Sequence, residues 1–221
     1  MGRIIALGDI HGCSKTFKAL LHKGIKLKKS DEVFCLGDYI DRGPDSKGVV
    51  DLILDLRAKG YKIHTIRGNH EQLMIDSETD EKENKIWLRN GGEKTLQSFS
   101  VNKFSELKTH YQNFFKETKH YLEKDNFIFV HAGLDFSKAD IFENKYAMLW
   151  TRDLWVSEEK LGGKIIIHGH TIKTLETIIK QLVKNVINID GGCVYNESPL
   201  YGNLVAIDLT NSKFISTPCI D

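Results

Sequence analysis

The sequence predicts an α/β protein, in which buried strands alternate along the chain with amphipathic helices. Short apolar runs at residues 4–7 and 33–36 are typical of buried strands, and residues 63–66 are predicted to form a third strand. Apolar residues at helical spacings separate these runs, and a glycine follows each run within two residues. Strand, helix and strand in this order imply right-handed parallel units.

The composition is that of an ordinary globular protein, with 221 residues of which 41% are hydrophobic and 28% charged. The formal net charge of +1 predicts no strong field that would attract nucleic acid or an anionic membrane. The N-terminal apolar run is too short for a signal peptide, and no apolar run approaches the roughly 20 residues that span a bilayer. Four cysteines are scattered without a CxxC pair, which argues against a zinc ribbon or a disulfide framework. We therefore expect a cytoplasmic protein, and the oligomeric state stays open.

Asp9 and His11 end the first predicted strand. Successive strand residues alternate sides, so residues i and i+2 point the same way and one metal ion can take both side chains. Ser14 is predicted to cap the following helix, which closes at Gly24. An isolated Asp-x-His pair is more often a solvated loop, so this interpretation depends on the later motifs.

The central motif is Gly-Asp-Tyr-Ile-Asp-Arg-Gly-Pro at residues 37–44, which follows the second predicted strand. It places Asp38, Asp41 and Arg42 at the carboxyl end of a strand, the edge where ligands bind in open α/β sheets. Ser46 is predicted to cap the next helix.

The third predicted strand leads to Gly-Asn-His-Glu at residues 68–71. Asn69 offers a neutral oxygen ligand, and His70 offers a nitrogen base beside it. In isolation, a Gly-Asn turn with a surface histidine would be the better interpretation.

Residues 76–126 change in character, from an acidic stretch to aromatic and aliphatic residues at mostly helical spacings. We predict a mainly helical insertion that covers one end of the sheet and could wall the active site. Core packing is the favoured role of its aromatic residues. The segment from Trp87 to Gly92 is harder to assign, and its glycine pair is compatible with a helix stop. No repeat or linker appears, so residues 1–221 are predicted to form one domain.

Two further strands end in histidines, since residues 127–130 lead to His131 and residues 165–167 lead to His168 and His170. Arg152 lies between them and is interpreted either as a surface arginine or as a phosphate-binding residue. An ordinary strand histidine is favoured for His168 over a residue that supports a ligand.

The last part of the chain predicts a strand at 186–189, followed by Asp190-Gly-Gly, and a terminal hairpin at 204–209 and 213–216. Residues 174–184 are compatible with either helix or strand.

The polar residues that end the strands are suited to metal binding. The set has no thiolate, and such nitrogen and oxygen ligands suit Mn²⁺, Fe or Zn²⁺, with Mn²⁺ favoured. Asp38 is the natural bridge between two ions because it ends the central strand. Two metals about 3.5–4 Å apart would hold a bridging hydroxide and clamp a phosphoryl oxygen. The candidate ligands are Asp9, His11, Asp38, Asn69, His131 and His170.

The remaining polar residues predict the rest of a hydrolytic reaction. His70 is the candidate general acid for the leaving group, and Asp41 can orient it. Arg42 and Arg152 can bind phosphate oxygens as planar forks. The sequence has no convincing serine or cysteine nucleophile motif, which favours direct attack by hydroxide. Cys13 is interpreted as packing at the helix start.

These motifs, in this order, resemble those of the calcineurin-like metallophosphoesterases, and more narrowly the phosphoprotein phosphatase branch in its short bacterial and phage form. The resemblance implies a two-sheet β-sandwich flanked by helices, in α/β/β/α layers. It also implies that Asp9, His11 and Asp38 hold one metal, and that a second is held by Asp38, Asn69, His131 and His170.

The resemblance implies a dinuclear metal-dependent phosphomonoesterase that hydrolyses phosphoserine and phosphothreonine in proteins. Ile172, where distant relatives carry a final histidine, and Glu71, where symmetrical diadenosine tetraphosphate hydrolases usually carry Asp, favour this branch. The alternative is a hydrolase of dinucleoside polyphosphates or other nucleotides. A non-catalytic scaffold is disfavoured because no ligand is missing.

Overall fold

Two β-sheets face each other in a computed structural model that describes residues 2–221. The order of strands in the larger sheet is β3-β2-β1-β8-β9, and in the smaller it is β4-β5-β6-β7. Helices flank the sheets, so the predicted α/β sandwich is confirmed.

The larger sheet is parallel through its first three strands. Residues of β1 pair in register with those of β2, and β2 pairs in the same way with β3, as the alternating strands and helices predict. The C-terminal hairpin, also predicted, adds two antiparallel strands at the other side of β1. The strands are β1 (Ile4–Leu7), β2 (Glu32–Cys35), β3 (Lys62–Thr65), β8 (Asn203–Asp208) and β9 (Lys213–Pro218).

The smaller sheet is parallel from β5 to β7 and antiparallel at β4. Its strands are β4 (Tyr121–Lys124), β5 (Phe127–Val130), β6 (Ile165–His168) and β7 (Val186–Asn188). Strand β4 corrects the prediction of a mainly helical segment up to residue 126. Its residues are only partly buried, so they lack the apolar run that marked the other strands.

The helices begin and end as follows. The described residues include α1 (Ser14–Ala19), α2 (Ser46–Ala58), α3 (Asn69–Asp76), α4 (Glu81–Trp87), α5 (Glu93–Phe99), α6 (Thr109–Glu117), α7 (Lys145–Trp150), α8 (Glu158–Leu161) and α9 (Leu175–Gln181). A π-helical segment at Leu20–Ile25 extends α1 past Gly24, and another at Leu88–Gly92 joins α4 to α5.

Helix starts differ from the predicted caps by one residue. Asp45, rather than Ser46, caps α2, and its carboxylate accepts the N–H of Gly48. Cys13 occupies the cap position of α1, while the hydroxyl of Ser14 donates to Asp45. Asp45 therefore ties the starts of both helices together, a long-range contact that local sequence rules do not include.

Apolar side chains from the two sheets fill the space between them. Phe34 of β2 stacks on Phe129 of β5 at 4.0 Å between ring centroids, and Ile167 and Val205 are buried in the same cluster. A second cluster lies between the larger sheet and the helices, and includes Trp87. Within residues 2–221, no helix is long and apolar enough to cross a membrane.

Candidate metal and phosphate site

The loops after five strands meet at one edge of the sandwich. The polar residues follow the carboxyl ends of parallel strands. The loops after the parallel strands of both sheets therefore lie at the same edge. The residues brought to this edge are Asp9 and His11 after β1, Asp38 after β2, Asn69 at the start of α3, His131 after β5 and His170 after β6.

The backbone at this edge adopts unusual conformations. Nine non-glycine residues within 2–221 have positive φ angles, and five of them belong to the predicted site. Residues other than glycine rarely adopt positive φ angles, and those that do are concentrated at functional sites. The five are His11, Asp38, Asp41, Arg42 and His170, with φ between 45° and 70°.

Asp38 lies at the centre of the site. Its Oδ2 is 3.5 Å from Nε2 of His11 and 3.5 Å from Nε2 of His131, which approach from different loops. Two groups of potential ligand atoms share this carboxylate, one with His11 and His70 and the other with His131 and His170. A single carboxylate common to two groups is the arrangement that a pair of bridged cations requires.

Backbone carbonyls orient two of these imidazoles. Nδ1 of His11 donates to the carbonyl of Ile40 at 2.8 Å, and Nδ1 of His131 donates to that of Leu36 at 2.9 Å. Burial lowers the pKa of both histidines, which favours their neutral form. A neutral imidazole whose Nδ1 carries the hydrogen presents a free lone pair on Nε2, the state in which histidine binds a metal.

Several polar atoms here lack suitable partners within the protein. Nε2 of His131 faces Oδ1 of Asn69 at 2.9 Å, so two acceptors oppose each other when His131 is neutral. Nδ1 of His170 faces the same Oδ1 of Asn69 at 3.0 Å, and Oδ1 of Asp9 is buried without a hydrogen-bond partner. A cation between such acceptors removes both defects, and the residues therefore fit divalent metal ions.

Carboxylates crowd the same region. Burial raises the pKa of Asp9 well above its usual value, and the neighbouring Asp190 and Asp38 raise it further. Burial also raises the pKa of Asp190, to about 6. Uncompensated negative charges are costly in a buried site, so these groups also favour bound cations.

His70 and Asp41 form a buried pair. Nδ1 of His70 is 2.6 Å from Oδ2 of Asp41, while Nε2 of His70 faces Asp38 at 3.9 Å. Burial lowers the pKa of His70, but the two carboxylates outweigh it and leave the pKa raised. The imidazole is thus oriented by Asp41 and suited to carry a proton.

Residues of the segment between β3 and β4 hold Asp41 in place. Nε1 of Trp87 donates to both carboxylate oxygens, at 3.1 and 3.0 Å. The hydroxyl of Thr95 donates to Oδ1 of Asp41 at 2.6 Å. The sequence identified Trp87 as a core residue, but it gave no sign of these bonds.

The two predicted phosphate-binding arginines line a common cavity of about 290 Å³. Arg42 donates to Nε2 of His11 at 2.6 Å, and its guanidinium lies over the ring of Tyr195. The lone pair of His11 is therefore used by Arg42, and a cation at His11 requires this guanidinium to turn away. Arg152 is exposed at the rim.

Glu71 is a positioning residue whose role the sequence did not reveal. Its carboxylate accepts the backbone N–H groups of Asp38, Tyr39 and Gly68, at 2.8 to 2.9 Å. Burial raises its pKa to about 8. Asp190 was not among the predicted site residues, although it follows an apolar run as they do. His168 is buried, and it belongs to neither group of ligand atoms around Asp38.

In this fold, two facing sheets bring carboxylates, imidazoles and an amide to one shared aspartate. This arrangement is that of a metal-dependent phosphoesterase. The chain belongs to the calcineurin-like phosphoesterase family, whose model matches residues 2–202. The family assigned from the sequence motifs is confirmed.

Individual relatives carry different activities. The asymmetrical bis(5'-nucleosyl)-tetraphosphatase PrpE of Oceanobacillus iheyensis is 26% identical over 97% of this chain and 91% of its own. Serine/threonine-protein phosphatase 1 of Salmonella typhimurium is 36% identical, over 39% of this chain and 38% of its own. A cold-active protein-tyrosine phosphatase of a Shewanella species shares the fold, with a TM-score of 0.68 and 17% identity over 99% of this chain and 78% of its own.

Proposed function

We propose that this protein is a dinuclear metal-dependent phosphoester hydrolase. The single observation that carries the proposal is that Asp38 is shared by two groups of buried ligand atoms. When bound, two divalent cations supply Lewis-acid polarisation of the phosphoryl group and lower the pKa of water. The proposed ligands of the first are Asp9, His11 and Asp38, and those of the second are Asp38, Asn69, His131 and His170.

His70 acts in this proposal as the general acid. As the oxygen of water bonds to phosphorus and water releases one proton to solvent, the bond to the leaving oxygen breaks and that oxygen takes the proton of His70 at Nε2, which a proton from solvent then restores. Asp41 accepts from Nδ1 and so keeps the proton-bearing Nε2 directed towards Asp38 and the centre of the site.

Arg42 and Arg152 bind the phosphate oxygens. Both line the cavity beside His11 and His170, and guanidinium groups match phosphate geometry with paired hydrogen bonds. To bind phosphate, the guanidinium of Arg42 would break its hydrogen bond to His11. Manganese is the proposed metal, because carboxylate, amide and imidazole ligands suit it.

For the substrate we propose a dinucleoside polyphosphate. Similarity to the tetraphosphatase PrpE extends over nearly the whole chain, whereas the similarity to the protein phosphatase is confined to about two fifths of it. This reverses the preference that the motifs suggested. Phosphoserine or phosphothreonine in proteins remains the second candidate, supported by the local match to the protein phosphatase at 36% identity.

The two candidates can be separated by parallel turnover assays. The protein, loaded with Mn²⁺, is given diadenosine tetraphosphate or a phosphothreonine peptide, and kcat/KM is measured for each. We expect the dinucleotide to be hydrolysed with at least tenfold higher kcat/KM, and a chelator to abolish turnover of both. A higher kcat/KM for the peptide would overturn the proposed substrate but not the proposed hydrolytic mechanism. Activity that survives complete metal removal would overturn the dinuclear mechanism.

A further inference from the structure

Three of the four cysteines meet in the fold, although they lie far apart in the sequence. The sulfur atoms of Cys13, Cys193 and Cys219 all lie within 4.8 Å of one another. Cys13 precedes α1, Cys193 lies in the loop after β7, and Cys219 directly follows β9. The absence of a CxxC pair therefore concealed a thiol cluster that only the tertiary structure assembles.

We propose that this thiol cluster, defined as Cys13, Cys193 and Cys219, is a binding site for a zinc ion, separate from the dinuclear centre. In a tetrahedral zinc site with Zn–S bonds near 2.3 Å, neighbouring sulfurs lie about 3.8 Å apart. The sulfurs of Cys13 and Cys219 are 3.9 Å apart. A disulfide would require them to approach to about 2.05 Å.

Burial and access also suit a metal site. Cys13 and Cys193 are each 1% exposed, whereas Cys219 is partly exposed at the surface. Two buried ligands and one near solvent leave an entry path for the ion and room for water as a fourth ligand. Each thiol that binds releases its proton to solvent, so no oxidant or other reactant is needed.

The site would connect three segments, of which two adjoin residues of the candidate metal and phosphate site. Cys13 lies two residues after His11, and Cys193 lies three residues after Asp190. Cys219 anchors the end of β9, where its N–H donates to the carbonyl of Gly202. A zinc ion here would cross-link the C-terminal strand to both loops and stabilise their positions.

In the competing interpretation, the three thiols only pack as small apolar side chains. Free cysteines are often buried in this way, and this cluster adjoins the apolar core between the larger sheet and the helices. Cobalt distinguishes the two. Thiolate bound to Co²⁺ gives a charge-transfer band in the near ultraviolet, and none of the proposed ligands of the dinuclear centre contains sulfur. The band therefore reports on the thiol cluster alone.

The experiment titrates the reduced, metal-free protein with Co²⁺ and then displaces it with Zn²⁺. We expect the wild type to develop the band and Zn²⁺ to remove it. Cys219→Ser should lose the band, and because this residue is partly exposed the variant should fold normally. The control Cys35→Ala removes the fourth cysteine, buried in β2, and should retain the band.

Zinc content gives a second measurement that does not depend on cobalt. We expect Cys219→Ser to bind one zinc ion fewer per chain than the wild type and to gain less in Tm from added Zn²⁺. A wild type without the band, or a variant with an undiminished band and zinc content, would overturn the proposal. A mass that is lower by two hydrogens in protein purified without reductant would also overturn it in favour of a disulfide.

Discussion

The indole Nε1 of Trp87 donates to both carboxylate oxygens of Asp41, at 3.1 and 3.0 Å, and so connects the segment between β3 and β4 to the His70 pair. Trp87 is 1% exposed and Asp41 is fully buried. The segment that looked like a cover for one end of the sheet thus contacts the proposed catalytic residues through a hydrogen bond.

Trp87→Phe should keep the packing of the aromatic ring and lose this bond. A hydrogen bond to a charged group contributes about 1.5–3 kcal/mol, and about 1.4 kcal/mol corresponds to a tenfold change in rate. We therefore expect kcat to fall about tenfold or more with a small change in KM. Trp155→Phe, at a tryptophan that is 68% exposed, is the matched control. Equal kcat values for the two variants would show that Trp87 does not position Asp41.

His70→Asn should remove the proton donor and leave the proposed metal ligands. Loss of a general acid costs about 10²–10⁴-fold in rate, so kcat should fall within this range. Bound metal, measured by elemental analysis, should stay at the level of the wild type. His110→Asn, at an exposed histidine of α6, should leave both quantities unchanged. If metal content fell with kcat in His70→Asn, His70 would be a ligand rather than the acid.

Glu71→Gln should weaken the loop that carries Asp38. Glutamine places an NH₂ group opposite at least one of the three backbone N–H donors, and each buried donor left unpaired costs about 1–3 kcal/mol. We expect a loss of this size in the free energy of unfolding, measured by urea denaturation, and weaker Mn²⁺ binding by calorimetry. Glu81→Gln, on the exposed start of α4, is the control.

Acid stability should depend on Asp31. Burial alone raises the pKa of this carboxyl, but Arg3, at 2.6 Å, and the N–H of Lys28 outweigh burial and leave the pKa lowered. A depressed pKa adds stability above the unfolded value of about 3.9, and this stability is lost as the pH falls through the folded value.

The comparison with Asp31→Asn measures this contribution. The wild type should exceed the variant by on the order of 1.5 kcal/mol near neutral pH, and the difference should shrink as the pH falls below about 4. Asp55→Asn, which breaks an exposed pair with Lys59, should change the free energy of unfolding by less than about 0.5 kcal/mol at either pH. A wild-type advantage that persisted unchanged well below pH 3 would contradict this account.

Much of the fold was predictable because most of its strands can be identified from short stretches of sequence. The strands β1, β2, β5 and β6 consist mainly of apolar residues because they are buried on both faces, and their two polar residues, Glu32 and His168, lie at strand ends. The edge strand β4 is partly exposed and was missed, although Asp125 and Asn126 form the short turn that joins it to β5.

The sequence by itself determined the α/β class, the parallel order of the first strands and the polar residues that end them. These follow from chain-local rules, since apolar runs become buried strands and parallel strands share one carboxyl edge. Tertiary structure alone decided which side chains support them: Trp87 and Thr95 on Asp41, Glu71 beneath Asp38, and the meeting of Cys13, Cys193 and Cys219. Such contacts join residues separated by tens to hundreds of positions, and their distances depend on how the sheets and helices pack, which no local pattern encodes.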